Sequence, residues 1–323
     1  MFELMAGIRS TLEACKAVKP EERVLIYSDD DGNSVWMGQI LMNVVNSMGA
    51  KAILTVMNPE HLGGGPGAWE PPEAVAAAMR KVDAIFRVTD KTSLTHSNAR
   101  KEATAAGVRH YVLHPALADV LKRGISPADL TLIKEHTEDI VQRLTRANEA
   151  RITTPLGADI TMTLKGREGV ALHPMSLVSS LPDYAEAAIA PVEGTAEGTI
   201  VADVAIVQWK YRLMQPLHIK VKAGKVIDVT GSKKEAERFA GLIAMDEHSA
   251  NIAEFGIGTS HLIQWEMHGT RRDAARIGTA HIAIGRNNDI GGKTWSRVHQ
   301  DALMSNATVE LDGERLLLNR AGS

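Results

Sequence analysis

Along the first 150 residues, short apolar runs alternate with longer stretches whose apolar positions recur at helical spacing. The run VLIY at 24–27 ends in SDDDGN, and the following VWMGQILMNVVNSMG reads as a buried helix stopped by Gly49. AILTVM at 52–57, a helix from PEAVAAAMRKV, DAIFRV at 83–88, a helical stretch near 93–106 and RHYVLH at 109–114 repeat the rhythm. Alternation of this kind predicts a parallel sheet covered by helices. SPADLTLIKEHTEDIVQRLTRANEA, 126–150, predicts one long helix that begins at Ser126-Pro127 and closes a first domain.

After residue 150 the grammar changes to hairpins. RITTPLGADITMTLKG, GTIVADVAIVQ, PLHIKVKAGKVIDVTG and ATVELDGERLLL read as strand pairs, with Ala223-Gly224 and Asp312-Gly313 supplying turn chemistry. The expected fold class is α/β: an N-terminal parallel-sheet, Rossmann-like domain over 1–150, then a mixed α+β metal-binding domain over 151–323.

Composition narrows the function. A chain of 323 residues, 44% hydrophobic and 23% charged, suits two globular domains with substantial cores. With 36 basic against 39 acidic residues, a net charge of -3 and no basic stripe, nucleic acid is not an expected partner. Cys15 alone makes neither an internal disulfide nor a thiolate zinc cluster. The N-terminus MFELMAGIRS lacks an apolar signal core, and no run reaches the roughly 20 apolar residues of a membrane span. The expected location is the cytoplasm, without membrane attachment. Any metal must then be held by His, Asp and Glu, and twelve His are available.

The first strand-to-helix turn fails as a nucleotide site. SDDDGNS has neither G-x-G-x-x-G nor G-K-[ST], Asp29, Asp30 and Asp31 would repel a phosphate, and the EF-hand alternation is missing. It reads as a solvated acidic turn. HLGGGPGAWEPP at 61–72 reads as a flexible loop and a candidate flap. His110, His114, His261, His268 and the pair Arg271-Arg272 take structural or surface readings.

The chemistry concentrates near the C-terminus. In RVHQDALM, His299 and Asp301 stand two apart, and in an extended strand residues i and i+2 project from one face, so the pair offers two metal ligands side by side. Glu254 in NIAEFGIGTS and His281 in GTAHIAIGRN also sit inside apolar, Gly-punctuated segments. A carboxylate buried there needs a partner, and a divalent ion is one.

Together these segments resemble something specific. N-I-A-E-F-G-I-G-T, G-T-A-H-I-A-I-G and H-Q-D resemble, in order, three metal-binding signatures of the aminopeptidase S/aminopeptidase T family of bacterial metallo-aminopeptidases. A fourth family ligand, a Glu shortly before an Ala-Pro pair, corresponds to Glu186, five residues before Pro191, with Asp183 as the nearby alternative. The resemblance implies a two-metal site of Glu186, Glu254, His281, His299 and Asp301, holding zinc, cobalt or manganese. Two divalent ions, three carboxylates and one bridging hydroxide sum to neutrality, and such a pair activates water against an amide carbonyl. A small-molecule or short-peptide substrate and a homodimer are implied with it.

Two features depart from that family. Its Tyr seven residues after the strand His is here Asn288, which donates a hydrogen bond but not a phenol's proton. The chain is also shorter than typical members. Arg286, directly after the His281 strand, is the candidate clamp for a substrate carboxylate. A relative of the same fold, 2,5-dihydroxypyridine 5,6-dioxygenase, supplies the alternative: it resembles this chain in length and in the H-x-D element, and binds one ferrous ion through two His and one Asp. It has a His where Glu254 stands and lacks a His281 equivalent, so a metallohydrolase is the expectation and a ring-cleaving dioxygenase the alternative. A metal-free binding protein on the same fold is the third reading.

Overall fold

The computed structural model describes residues 1–62, 69–89, 92–95, 97–264 and 266–318. Residues 63–68, half of the flap read at 61–72, therefore lie outside the described residues. The chain forms two compact units, Met1–Lys134 with Leu172–Tyr184, and Glu135–Ala171 with Ala185–Ser323.

The first unit is built on a five-stranded parallel sheet in the order Lys51–Met57, Arg23–Asp29, Ala84–Val88, Arg109–Val112, Val178–Ser180. Its first four strands and the helices Gly32–Ser47, Glu73–Met79 and Asn98–Ala105 follow the alternation in the sequence, whereas Val178–Ser180 comes from beyond residue 150. The acidic turn is a correction. Asp29 is buried at the end of its strand, and Asp31 caps the following helix by accepting from the N–H groups of Asn33 and Ser34 at 3.0 and 3.4 Å. Capping carboxylates satisfy amides that the helix itself leaves unpaired.

The helix expected over 126–150 spans Pro127–Arg146. It stops because the Asp312 carboxylate accepts from the amides of Asn148 and Glu149, at 3.0 and 2.9 Å, and turns the chain into the strand Glu149–Thr153. That strand pairs with Thr308–Leu311. Both hairpin turns match their sequence: Ala223 and Gly224 have φ of 48° and 70°, and Asp312 and Gly313 have 50° and 84°. Two successive positive φ values are what a two-residue hairpin turn requires.

The second unit carries two sheets. A seven-stranded sheet runs in the order Lys225–Thr230, Leu217–Lys222, Glu197–Ala202, Asp159–Thr163, Glu149–Thr153, Thr308–Leu311, Glu314–Leu316. A six-stranded sheet runs Ala205–Ile206, His299–Met304, Ala280–Gly285, Ile252–Gly258, Glu186–Ile189, Val170–Leu172. The segment GTIVADVAIVQ, read as one strand pair, instead divides between the two sheets and ends in the tight turn Val207–Trp209.

Phe255, Ile257, Ile282, Ile284, Ala302 and Met304 from the six-stranded sheet join Ile160, Ile200 and Ile219 of the seven-stranded one in a single core. Each large aliphatic or aromatic side chain buried there contributes roughly 1.5–3 kcal/mol. The core fixes the register, because a slip of one residue would drive Glu254 and His281 into it.

Candidate metal centre

Alternation along these strands places every polar donor on the face of the six-stranded sheet opposite the core residues. Across the sheet Glu186 pairs with Gly258, His281 with Gly256, Asp301 with Ala283, and His299 with Gly285, while Glu254 has Ala283 on its other flank. Each donor thus has a small residue on one flank, although His281 has Leu303 on its other, and long polar groups can converge on the small-residue side. At Gly256 the donors themselves fill the space. A Cβ there would lie 2.1 Å from His281 Cε1, 2.3 Å from its Nε2 and 2.9 Å from Glu186 Oε1.

The donors form a connected cluster. His281 Nε2 lies 3.3 Å from Glu186 Oε1 and 3.7 Å from Glu254 Oε1, and His299 Nε2 lies 3.2 Å from Glu254 Oε2 and 3.3 Å from Asp301 Oδ1. Ligand atoms bonded to one ion at about 2.1 Å stand about 3.0–3.4 Å apart in octahedral or tetrahedral arrangement. Glu186, Glu254 and His281 each bring a ligand atom within 4.8 Å of the others, a spacing that fits a divalent ion. Asp301 Oδ1 and His281 Nδ1 are buried with no hydrogen-bond partner among the described residues, and Asp301 Oδ1 is aimed at the His299 donor atom. His299 Nδ1 contacts the Arg286 carbonyl at 2.8 Å, which makes Nδ1 the protonated nitrogen and leaves the Nε2 lone pair for the cluster.

Burial and charge oppose each other here, and charge wins. Burial by itself lowers the pKa of His281, but the Glu186 carboxylate, with Glu254 and Asp301 beyond it, holds it well above the usual imidazole range. Burial likewise acts downward on His299, and Asp301 and Glu254 together raise it well above that range. Burial pushes Glu254 upward, yet hydrogen bonds from His281 and His299 bring it well below the ordinary carboxylate value. Without a metal the two imidazoles are therefore charged, and an incoming ion must displace their protons.

A pH dependence with opposite signs is expected. Raised histidine values stabilise the metal-free protein fully below the unfolded imidazole pKa of about 6.5, and that stability is lost as pH rises through the folded values. Metal affinity moves the other way and tightens as the protons leave. Melting temperatures of the metal-free chain should fall, and metal dissociation constants should decrease, as pH is raised from about 6.5. A metal-free chain whose melting temperature climbed over that range would contradict charged imidazoles.

The five residues singled out as ligands from sequence form one connected run of contacts, Glu186–His281–Glu254–His299–Asp301, with Glu186 rather than Asp183 beside His281. Arg286 and Asn288 adjoin it through the backbone. The buried Arg286 side chain donates from Nε to Asn288 Oδ1 at 2.8 Å, while its carbonyl holds His299. Sequence reading missed Gln208, whose side-chain amide donates to Asp301 Oδ2 and accepts from the Asp301 N–H, both at 2.9 Å. It also missed Gly256, although the glycines of EFGIG were visible as punctuation.

Two buried imidazoles, the buried carboxylates of Glu186 and Glu254 and the half-buried one of Asp301, all on one sheet face of this α/β fold, point to a metal-dependent enzyme. The chain belongs to the 2,5-dihydroxypyridine 5,6-dioxygenase (NicX) family, whose profile matches residues 3–320. A search of curated proteins gives no significant match. The solved structure of 2,5-dihydroxypyridine dioxygenase from Pseudomonas putida KT2440 is similar over 97% of this chain and 94% of that one, with a TM-score of 0.74 and 18% identity. AmpT from Thermus thermophilus is similar over 97% of this chain and 96% of its own, with a TM-score of 0.69 and 16% identity. At these identities the structural likeness establishes the fold. No helix among the described residues is long and apolar enough to cross a membrane.

Proposed function

We propose that the protein is a ferrous-iron-dependent dioxygenase that opens a small hydroxylated, nitrogen-containing aromatic ring, with Glu254, His281, His299 and Asp301 supplying the donors to the metal. The observation that carries this reading is the convergence of both Nε2 atoms on the two oxygens of Glu254. Two imidazoles with carboxylate are the donor type of non-haem ferrous oxygenases. Membership of the NicX family supports the ring-cleaving chemistry over the hydrolysis expected from sequence. A bound ferrous ion would supply the redox chemistry that lets an aromatic ring react with dioxygen.

The chain's own groups have separable tasks. His299 is held in one tautomer by the Arg286 carbonyl. Glu186, buried beside His281, is placed to accept the proton of a ring hydroxyl at Oε1. The test is anaerobic loading with ferrous iron followed by oxygen uptake on 2,5-dihydroxypyridine and related rings, one dioxygen per ring consumed without added reductant. Absence of uptake across that panel would end the dioxygenase reading.

A two-metal hydrolase is the second reading, favoured by one specific observation: Glu254 turns one oxygen to each imidazole, and Glu186 supplies a third carboxylate. Glu186→Gln separates the two. A ring-opening enzyme should keep its single iron equivalent and lose turnover by roughly a hundred- to ten-thousandfold, the usual contribution of a general base. A two-metal enzyme should instead lose about one of its two metal equivalents, together with hydrolysis of aminoacyl anilides. Metal analysis beside both assays decides between them.

A further inference from the structure

Ala205–Ile206 pairs antiparallel with the metal-binding strand for only two residues, Ala205 opposite Leu303 and Ile206 opposite Ala302. The chain then leaves the sheet in the turn Val207–Trp209, just before it would reach Asp301. Gln208 completes the pairing with its side chain. Its amide oxygen accepts from the Asp301 N–H and its amide nitrogen donates to Asp301 Oδ2, each at 2.9 Å, so a side-chain amide takes the place of the missing peptide group.

The turn that presents Gln208 is braced from behind. Trp209 is buried, the Arg238 guanidinium lies 4.4 Å from its ring centroid, and Phe239 meets its edge at 6.5 Å between centroids. Tyr211 stacks with Trp209 at 6.0 Å between centroids. A cation–π contact and two ring contacts hold Trp209, the residue after Gln208, which lowers the entropy that the turn would lose in holding Asp301.

We infer that Gln208 is a positioning residue that reserves Asp301 Oδ2 for itself and thereby leaves Oδ1, the oxygen facing His299, as the one oxygen offered to a metal. The inference rests on the metal-site reading of the cluster. It assigns to a residue outside the ligand set the choice between one-oxygen and two-oxygen coordination by Asp301. Hydrogen bonds to a ligating carboxylate commonly govern affinity by ten- to a hundredfold.

The discriminating variant is Gln208→Glu. A glutamate can still accept from the Asp301 N–H and so keep the strand in place, but when ionised it cannot donate to Oδ2. In the full-length chain, Co2+ should bind roughly 10- to 100-fold more weakly than to wild type. Its visible absorption, which reports coordination number, should change, while far-UV circular dichroism of the metal-free protein should keep the wild-type fold. Gln208→Met removes both arms at similar volume and should show the same loss of affinity if glutamate disturbs folding. In an Asp301→Ala background neither change at Gln208 should weaken Co2+ further. Wild-type affinity and spectrum in Gln208→Glu, or an equal loss with and without Asp301, would overturn the inference. Failure of the metal-site reading would show separately, as a wild-type chain that takes up no Co2+.

Discussion

Glu254→Gln is expected to abolish tight metal binding and turnover together while the fold survives. Glu254 touches both imidazoles, with Oε1 3.7 Å from His281 Nε2 and Oε2 3.2 Å from His299 Nε2. Glutamine has the same shape, but it turns an N–H toward a nitrogen whose lone pair the metal needs. It also removes the charge that compensates two buried imidazoles. Breaking a buried ion pair from one side costs about 3–5 kcal/mol, or about a hundred- to several-thousandfold in an equilibrium constant. The measurement is ferrous-iron affinity and oxygen uptake against far-UV circular dichroism. Retention of wild-type iron and turnover would show that Glu254 is not the centre of the site.

Gly256→Ala is expected to cost far more in activity than in stability. The added methyl would sit 2.1 Å from His281 Cε1 and 2.9 Å from Glu186 Oε1, so both side chains must move. Overpacking of this kind costs about 1–3 kcal/mol of folding free energy. A displacement of roughly 1 Å at reacting groups costs about a hundredfold in rate. The comparison is kcat/KM against melting temperature for the same variant. A fall in melting temperature with undiminished kcat/KM would mean that the His281–Glu186 contact has no part in catalysis.

How much of this was legible depended on whether the signal was local. His299 and Asp301 fall on one face because strand geometry requires it, and the neighbours of Glu254 and His281 announce buried strands. Ala223-Gly224 and Asp312-Gly313 declare their turns because few residue pairs accept two positive φ values. The end of the long helix at Arg146 was not readable. It depends on Asp312, 164 residues away from Asn148. Gln208 was hidden for the same reason, since its partner lies 93 residues further along. It looked like the polar end of a strand. The split of GTIVADVAIVQ between two sheets leaves no mark in its alternation, because either sheet buries the same apolar positions.

Function was readable only to the level of donors. Two imidazoles and three carboxylates are compatible with a pair of hydrolytic ions or with one oxygen-activating ion, and the substitution of Asn288 for a family Tyr was the sequence's own sign of altered chemistry. Family membership, carried by the whole length from residue 3 to 320, shifts the reading toward ring cleavage. Charge counting could not make that choice, because spare carboxylates can bind a second ion or serve as bases.

The most direct test of the central claim is anomalous scattering at the iron edge from crystals loaded anaerobically with ferrous iron. One peak is expected, within about 2.0–2.6 Å of His299 Nε2 and of Asp301 Oδ1, with His281 Nε2 as a further donor. Iron bound away from these groups in a chain that consumes oxygen with its ring substrate would contradict the account.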